Sequence, residues 1–350
     1  MQVQKLGDSG LSISRIIVGC MSFGNKNFGE WVIDDESRVF SILKKCYDSG
    51  LRTFDTADVY SNGASETLLG KFLKKYKIPR NKVVILTKCY FPNESENPDF
   101  NFRTIGSAPV YEFANGQGLS RKHIFDAVQA SVARLGTYID VLQIHRLDPD
   151  TPKREIMKAL NDVVEQGLTR YIGASSMRAV EFAQLQFIAD KNGWFKFISM
   201  QNYYNLTYRE EENEMIPFCN DSEFGKVGLI PYSPLARGIL TRPVGKESEF
   251  NRTENTDSIQ KSFKMNILSD ADKEIVNRVE VLAKKNDVSM ASIAAAWVLS
   301  KGACPIVGIN SEKRVDDYLT AVELILSESD IKYLEEPYVT KPQHMFIAKK

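Results

Sequence analysis

The sequence has little histidine, no net charge and no long apolar run, and each of these absences excludes a class of protein. Only 3 of its 350 residues are His, and no recurring spacing of His, Cys and carboxylate residues suggests a metal site. Lys plus Arg and Asp plus Glu both number 45, which argues against a basic nucleic-acid-binding protein. No apolar stretch approaches the ~18 residues that cross a bilayer.

Cysteine is also scarce. The five cysteines are odd in number, scattered and mostly within apolar runs, which predicts free thiols in a reducing compartment. The N-terminal segment lacks a secretory signal pattern, because its first apolar stretch is short and is interrupted by Arg15. We therefore expect a cytoplasmic protein that has no contact with membranes.

What the sequence does contain is an alternation of short β-branched runs and longer segments with helical periodicity. This alternation predicts eight strands followed by helices, which favours a parallel sheet. The predicted strands are 15–19, 52–55, 83–88, 140–145, 170–173, 197–201, 227–232 and 304–308. The predicted helices are 35–49, one capped by Ser65, one capped by Ser120, one opened by Thr151–Pro152, 178–191, 209–220, 270–285, 289–300 and one beginning near Ser311.

Two parallel architectures fit this alternation. A doubly wound sheet would need a G-x-G-x-x-G turn after the first strand, but the turn between Gly19 and Gly24 does not have this pattern. We therefore predict an α/β fold, a (β/α)8 TIM barrel that forms a single domain over residues 1–350. A hairpin over residues 4–15 should cover one end, and long βα loops should occupy about 91–119 and 236–268.

The predicted strand ends carry groups that could do chemistry, and barrel active sites lie at the carboxyl ends of strands. Asp55, Lys88 and His145 end strands two, three and four, and Tyr60 follows Asp55 by five residues. Taken singly, each has an ordinary explanation as a cap, a solvated charge or a packing residue. Together on successive strands they predict a functional cluster.

These four side chains suit the reduction of a carbonyl, which needs a proton donor at the oxygen as hydride arrives. A phenol has a pKa of about 10, and an adjacent ammonium from Lys88 favours the phenolate of Tyr60 and so lowers that pKa. Asp55 would hold Lys88, and His145 would donate a hydrogen bond to the oxygen on which negative charge develops.

The segment Gly50–Tyr60 resembles the most specific signature of the aldo-keto reductase superfamily, and the likeness covers nearly the whole chain. The segments 142–146 and 171–176 are most similar to its fungal aryl-alcohol dehydrogenase branch. The resemblance implies a barrel without a metal that binds NADP(H) and reduces aldehydes or ketones to alcohols. It also implies that Tyr60 is the general acid of a tetrad with Asp55, Lys88 and His145.

Cofactor contacts follow from the same resemblance. Residues beside the nicotinamide or its carboxamide would be Gly19, Met21, Asp55, Ser175, Ser176, Gln201 and the stacking ring of Tyr232. The pyrophosphate loop would include Ser233, Leu235, Arg237 and Gly238, and the adenosine phosphate would be bound by Gly308 and Arg314. Phosphate sites in barrels are commonly formed by the loops after strands seven and eight, and this general rule supports the same phosphate positions independently of the resemblance. Ser176 and Tyr318 depart from the family pattern, which often has Asn at both positions.

Aromatic residues are predicted to line the substrate pocket. Phe23, Trp31 and Tyr90 should lie at the rim, and the first long loop adds Phe91, Phe100, Phe102, Tyr111 and Phe113. Such a pocket suits an aromatic or medium-chain aldehyde. One alternative is an NADP(H)-binding regulatory subunit resembling the β subunits of potassium channels. Another is a barrel lyase or isomerase in which Lys88 forms a Schiff base.

Overall fold

Eight parallel strands form the central sheet of the computed structural model, which describes residues 3–95, 97, 100, 110–246 and 267–343. Each strand pairs with the next along the chain, and the last strand lies beside the first. The strands are β3 (Ile17–Gly19), β4 (Thr53–Asp55), β5 (Val84–Cys89), β6 (Ile139–Ile144), β7 (Thr169–Ser175), β8 (Phe197–Gln201), β9 (Gly228–Leu229) and β10 (Ile306–Gly308).

Backbone hydrogen bonds between the segments of β9 and β10 close this sheet. The Cys304 N–H donates to the Leu229 carbonyl over 2.8 Å, and the Ile306 N–H donates to the Pro231 carbonyl over 2.9 Å. A parallel bridge between Tyr232 and Ile306 extends the contact. The predicted (β/α)8 barrel is therefore confirmed, and eight strands leave an interior just wide enough for side chains.

An antiparallel hairpin of β1 (Val3–Lys5) and β2 (Ser12–Ser14) covers the end of the barrel at which the strands begin. Leu6 and Ile13 are each 1% exposed and pack with apolar side chains of the barrel strands. Gly7 has a φ of 60°, and a Cβ there would lie 2.3 Å from the Lys226 carbonyl oxygen, so this turn requires glycine. The hairpin closes one end, and the candidate site lies at the other.

The predicted helices surround the barrel with differences at their ends, and two short helices, Val110–Phe113 and Glu328–Glu335, were not predicted. Their bounds are α1 (Glu36–Asp48), α2 (Ala64–Lys75), α3 (Val110–Phe113), α4 (Arg121–Leu135), α5 (Lys153–Glu165), α6 (Ala179–Asn192), α7 (Met215–Asn220), α8 (Asp270–Lys285), α9 (Met290–Ser300), α10 (Glu312–Glu323) and α11 (Glu328–Glu335). Ser120 caps α4, because its Oγ accepts from the His123 N–H. No helix among the described residues is both long and apolar enough to cross a membrane.

Two predicted N-caps are wrong. Helix α2 begins at Ala64 behind Gly63, which has a φ of 87°, whereas Ser65 is buried and its Oγ donates to the Cys20 carbonyl. The N-cap of α5 is Pro152, which offers no side-chain cap, and the Thr151 hydroxyl donates to Asp148 instead. The Ser65 hydroxyl is used in a tertiary contact and the Thr151 hydroxyl in a bond within the preceding turn, and a helix-end pattern reveals neither.

The helix predicted over 209–220 is divided in the structure. A short 3-10 turn covers Glu210–Glu212, and α7 begins only at Met215. Pro217 explains the break, because its ring would clash with the carbonyl four residues earlier in a continuous helix. This division matters for the site, since it turns Glu211 toward the barrel.

Candidate active site

The Lys88 ammonium is the centre of the candidate site. Its Nζ donates to Asp55 Oδ2 over 2.6 Å, to the Thr56 carbonyl oxygen over 2.8 Å and to the Tyr60 hydroxyl over 3.4 Å. Lys88 is 0% exposed, so these three bonds use all three ammonium donors away from water. The structure thus brings together three of the four residues predicted to form the tetrad.

Tyr60 is held in place by a constrained turn. The 3-10 segment Tyr60–Gly63 follows β4, and inside it Ser61 and Asn62 have φ values of 48° and 53°. Left-handed backbone at non-glycine residues is costly and persists only when the surroundings enforce it. Here the Asn62 side chain donates to the Glu94 and Asn97 carbonyls, which anchors the turn to the next βα loop.

The electrostatics of Tyr60 differ from the prediction. Burial raises the pKa of the phenol above its usual value, and the neighbouring Lys88 ammonium only partly counteracts this. Burial would also lower the pKa of Lys88, but the Asp55 carboxylate and the phenol hold that pKa above its usual value. The resting pair is therefore an ammonium and a neutral phenol that keeps its proton.

His145 faces Tyr60 at the rim. The two ring centroids are 5.8 Å apart in an edge-on arrangement, and Phe91 packs against the imidazole at 5.1 Å. Burial, Arg146 and Lys88 together hold the pKa of His145 well below its usual value. The imidazole is therefore neutral near pH 7 and has one N–H to donate. Its buried Nδ1 has no hydrogen-bond partner among the residues that the structure describes.

A pair of glutamines holds the second oxygen of Asp55, and the sequence analysis did not identify this arrangement. Gln143 Nε2 and Gln201 Nε2 each donate to Asp55 Oδ1 over 3.0 Å. Gln201 Nε2 also donates to Gln143 Oε1 over 2.8 Å. The one available signal was Gln143, a polar residue between the apolar Leu142 and Ile144 of its strand.

The residues predicted to contact the nicotinamide carboxamide form one polar cluster. Ser175 Oγ donates to the Gln201 carbonyl over 2.7 Å, and Ser176 Oγ lies 3.3 Å from the Tyr232 hydroxyl. Both N–H groups of Gln201 are used internally, which leaves its Oε1 to accept from a carboxamide. This donor and acceptor set fits a nicotinamide. Nearby, Gly19 ends β3 and Met21 packs against the cluster that contains Tyr60.

The predicted phosphate loops have backbones that fit an anion. After β9, positive φ values occur at Ser233, Ala236, Arg237 and Gly238, and such turns direct successive N–H groups into a concavity that favours anions. Gly308 ends β10 beside open space. Arg314 lies in the first turn of α10 and forms no ion pair within the described part of the chain. These residues would hold the phosphates of a dinucleotide.

The substrate residues are only partly brought together. Trp31 packs in the cluster that contains Tyr60, and the Tyr90 ring lies 5.0 Å from Phe91. Phe23 instead belongs to the main core. Phe28, which was not predicted as a substrate residue, packs against Tyr60 with the two ring centroids 6.2 Å apart.

The two long loops give the rest of the pocket prediction little support. Tyr111 is 76% exposed, and Phe100 packs on Phe113. Phe102 and most of 236–268 lie outside the described residues. Tyr318 is buried and its hydroxyl donates to the Gly308 carbonyl, so it packs beneath the end of β10.

A barrel with a buried ammonium beside a protonated phenol, and with loops whose backbone fits an anion, is typical of one class, the barrel oxidoreductases that use a dinucleotide. A model of the Aldo/keto reductase family matches residues 15–338. A Saccharomyces cerevisiae protein named "Putative aryl-alcohol dehydrogenase AAD16" is 55% identical over 340 residues, 97% of each chain. Versiconal hemiacetal acetate reductase of Aspergillus parasiticus is 52% identical over 345 residues, which cover 98% of this chain and 99% of that protein.

The chain therefore belongs to the aldo/keto reductase family. It is an oxidoreductase that uses a nicotinamide cofactor and acts on small carbonyl compounds.

Proposed function

We propose that this protein reduces aromatic or medium-chain aldehydes to alcohols with NADPH, as one domain over residues 1–350, with Tyr60 as the general acid. The observation that carries the proposal is the buried contact of Lys88 with both Asp55 and Tyr60. When bound, the reduced nicotinamide would supply a hydride to the carbonyl carbon. The side chains of the protein would donate the proton and stabilise the negative charge that develops on the carbonyl oxygen.

Tyr60 would give its proton to the carbonyl oxygen as negative charge develops there. The phenolate left behind is stabilised by the Lys88 ammonium, whose charge is retained by Asp55. His145, neutral because of burial, would donate its N–H to the same oxygen and fix its position between the two rings.

The apolar rim supports an aromatic or medium-chain substrate. Phe28, Trp31 and Phe91 surround the Tyr60 ring in one cluster, which would exclude water and contact an aryl or alkyl group. The relatives' names refer to an aryl-alcohol dehydrogenase and a hemiacetal acetate reductase, and both are compatible with such a substrate.

A direct assay tests the proposal. Purified protein is mixed with NADPH and 4-nitrobenzaldehyde, and the absorbance of the reduced nicotinamide is followed against reactions that lack protein or aldehyde. We expect aldehyde-dependent oxidation of NADPH that is nearly abolished in Tyr60→Phe. If NADPH binds but neither 4-nitrobenzaldehyde nor octanal is reduced, the proposed activity is wrong.

A further inference from the structure

A chain of buried hydrogen bonds extends behind the nicotinamide residues, away from the tetrad. The Ser176 N–H donates to Asn202 Oδ1 over 3.0 Å, and Asn202 Nδ2 donates to Glu211 Oε2. Ser176 has a φ of 49°, a left-handed conformation that needs enforcement at a residue with a side chain. Asn202 and Glu211 are 5% and 6% exposed, so water does not compete for these bonds.

We propose that Glu211 is a positioning residue for the nicotinamide, which fixes Ser176 through Asn202 and whose charge favours the oxidised cofactor over the reduced one. This inference rests on the proposed function. The carboxylate fixes the orientation of the Asn202 amide, because only its NH2 group can donate to Glu211. That orientation leaves the amide oxygen to accept from Ser176.

The charge of Glu211 reaches the predicted stacking ring. Burial raises the pKa of the Tyr232 phenol, and the Glu211 carboxylate acts in the same direction, whereas the fixed charges of Arg146 and Arg237 act in the opposite one. Arginine keeps its charge across the neutral range, so only the Glu211 contribution changes with pH. An oxidised nicotinamide ring is a cation, whereas the reduced ring is neutral. A nicotinamide bound beside Ser176 and Tyr232 would therefore be stabilised selectively in its oxidised form by the Glu211 carboxylate.

Glu211 can change its charge near neutral pH. Burial raises its pKa to about 7, the Asn202 hydrogen bond acts in the opposite direction, and Glu210 raises it further. Tyr204 and Lys301 line the same cavity as Glu211, and the Glu211 charge acts on Cys219 and Tyr232. The pKa values of the two tyrosines and the cysteine are raised, so these groups are neutral at this pH.

Lys301 does not cancel the charge of Glu211. Both residues line a cavity of about 20 Å³, but the Lys301 ammonium pairs with Glu335 at 2.5 Å. Within the described residues, Glu211 forms no salt bridge with any basic group.

The dissociation constants of NADPH and NADP+ test this proposal without turnover. They are measured by quenching of intrinsic fluorescence between pH 5.5 and 8.5. Both cofactors carry the same titrating 2′-phosphate, so the ratio of the two constants removes its contribution. For the wild type we expect the ratio of Kd for NADPH to Kd for NADP+ to rise about threefold to tenfold across this range, the size expected of one charge at moderate dielectric.

Two matched variants distinguish a specific effect from a structural one. Glu211→Gln retains an acceptor for Asn202 but has no charge, and we expect its ratio to stay at the low-pH wild-type value throughout. Glu210→Gln changes an equally buried neighbour that is bonded to Tyr338 and Lys341. Its ratio should rise by a factor similar to that of the wild type, with a midpoint at lower pH because the Glu210 charge no longer raises the pKa of Glu211.

Each other outcome overturns the proposal. A flat wild-type ratio, or an unchanged rise in Glu211→Gln, would mean that the Glu211 charge does not act on the nicotinamide. If NADPH and NADP+ both bind and either of these two results is found, only this inference is overturned. If neither nucleotide binds, the proposed function is overturned as well.

Discussion

Lys88 and Asp55 form an ion pair in the barrel interior, with Lys88 Nζ 2.6 Å from Asp55 Oδ2 and side-chain exposures of 0% and 3%. Removing one partner of such a pair leaves a buried charge without compensation, which costs about 3–5 kcal/mol. The third contact of the same ammonium is the Tyr60 hydroxyl, which links this pair to the proposed acid.

Replacing Lys88 by Met should lower kcat and move the basic limb of the pH–rate profile to higher pH. The ammonium is one of the influences that lower the pKa of Tyr60, so its loss should raise that pKa further and weaken the acid. Initial rates with 4-nitrobenzaldehyde from pH 6 to 10.5 would reveal the shift. Lys71→Met, at a surface pair with Glu36, is the control. A folded Lys88→Met protein with an unchanged profile would contradict the coupling.

Replacing Tyr60 by Phe should reduce kcat by about 100-fold or more, the usual contribution of a general acid. The dissociation constant of NADPH should change little, because the phenol acts in the transition state. Stopped-flow turnover and fluorescence quenching measure the two quantities separately. Tyr76→Phe, at the end of α2, is the control, because it removes a phenol hydroxyl at a distance from the candidate site and should leave kcat unchanged. Turnover above about a tenth of wild type would assign the acid to another group.

The barrel and the proximity of Asp55, Lys88 and Tyr60 could be predicted because both depend on regular spacing. Strand periodicity locates the strand ends, and a barrel brings all its strand ends to one rim. Asp55, Lys88 and Tyr60 were therefore predicted to meet, and they do so within hydrogen-bond distance.

The polar residues behind the rim were not predictable in this way. The contact of Gln143 with Gln201 depends on two side chains from separate strands turning toward one carboxylate. Glu211 was assigned to a helix, and only the break before Pro217 directs it to Asn202. Similarly, loop conformation decides that Phe28 and not Phe23 packs beside Tyr60, and no periodic pattern in the sequence specifies the conformation of a loop.

Glu211 should also make the stability of the protein depend on pH. Its pKa rises from 4.5 to about 7 in the folded protein, so the folded state binds the proton more tightly than the unfolded state. The resulting stability is present at low pH and is lost as pH rises through about 7, by up to roughly 3 kcal/mol. Glu211→Gln should therefore gain stability relative to wild type between pH 5 and 8. Urea denaturation of both proteins at pH 5 and at pH 8 measures the free energy of unfolding. If the variant and the wild type differed by the same free energy at the two pH values, the shifted pKa would be contradicted.

Arg314 should give the protein a preference for NADPH over NADH. The two cofactors differ only by the 2′-phosphate of the adenosine ribose, which a planar guanidinium with five donors suits better than a Lys ammonium. Arg314 lies in the first turn of α10, three residues after Ser311, where backbone N–H groups and the helix dipole also favour an anion. It is partly exposed and can therefore reach a ligand.

Arg314→Ala should weaken NADPH binding by roughly tenfold to a hundredfold, which corresponds to about 1.5–3 kcal/mol for a hydrogen bond to a charged group. The affinity for NADH should barely change, because NADH lacks the phosphate. Lys313→Ala, at the exposed neighbouring position, separates a directed contact from a general loss of positive charge. Dissociation constants for both cofactors, measured by fluorescence quenching, decide between these cases. Equal losses for NADPH and NADH would make Arg314 a structural residue, and a wild-type preference for NADH would overturn the assignment of NADP(H).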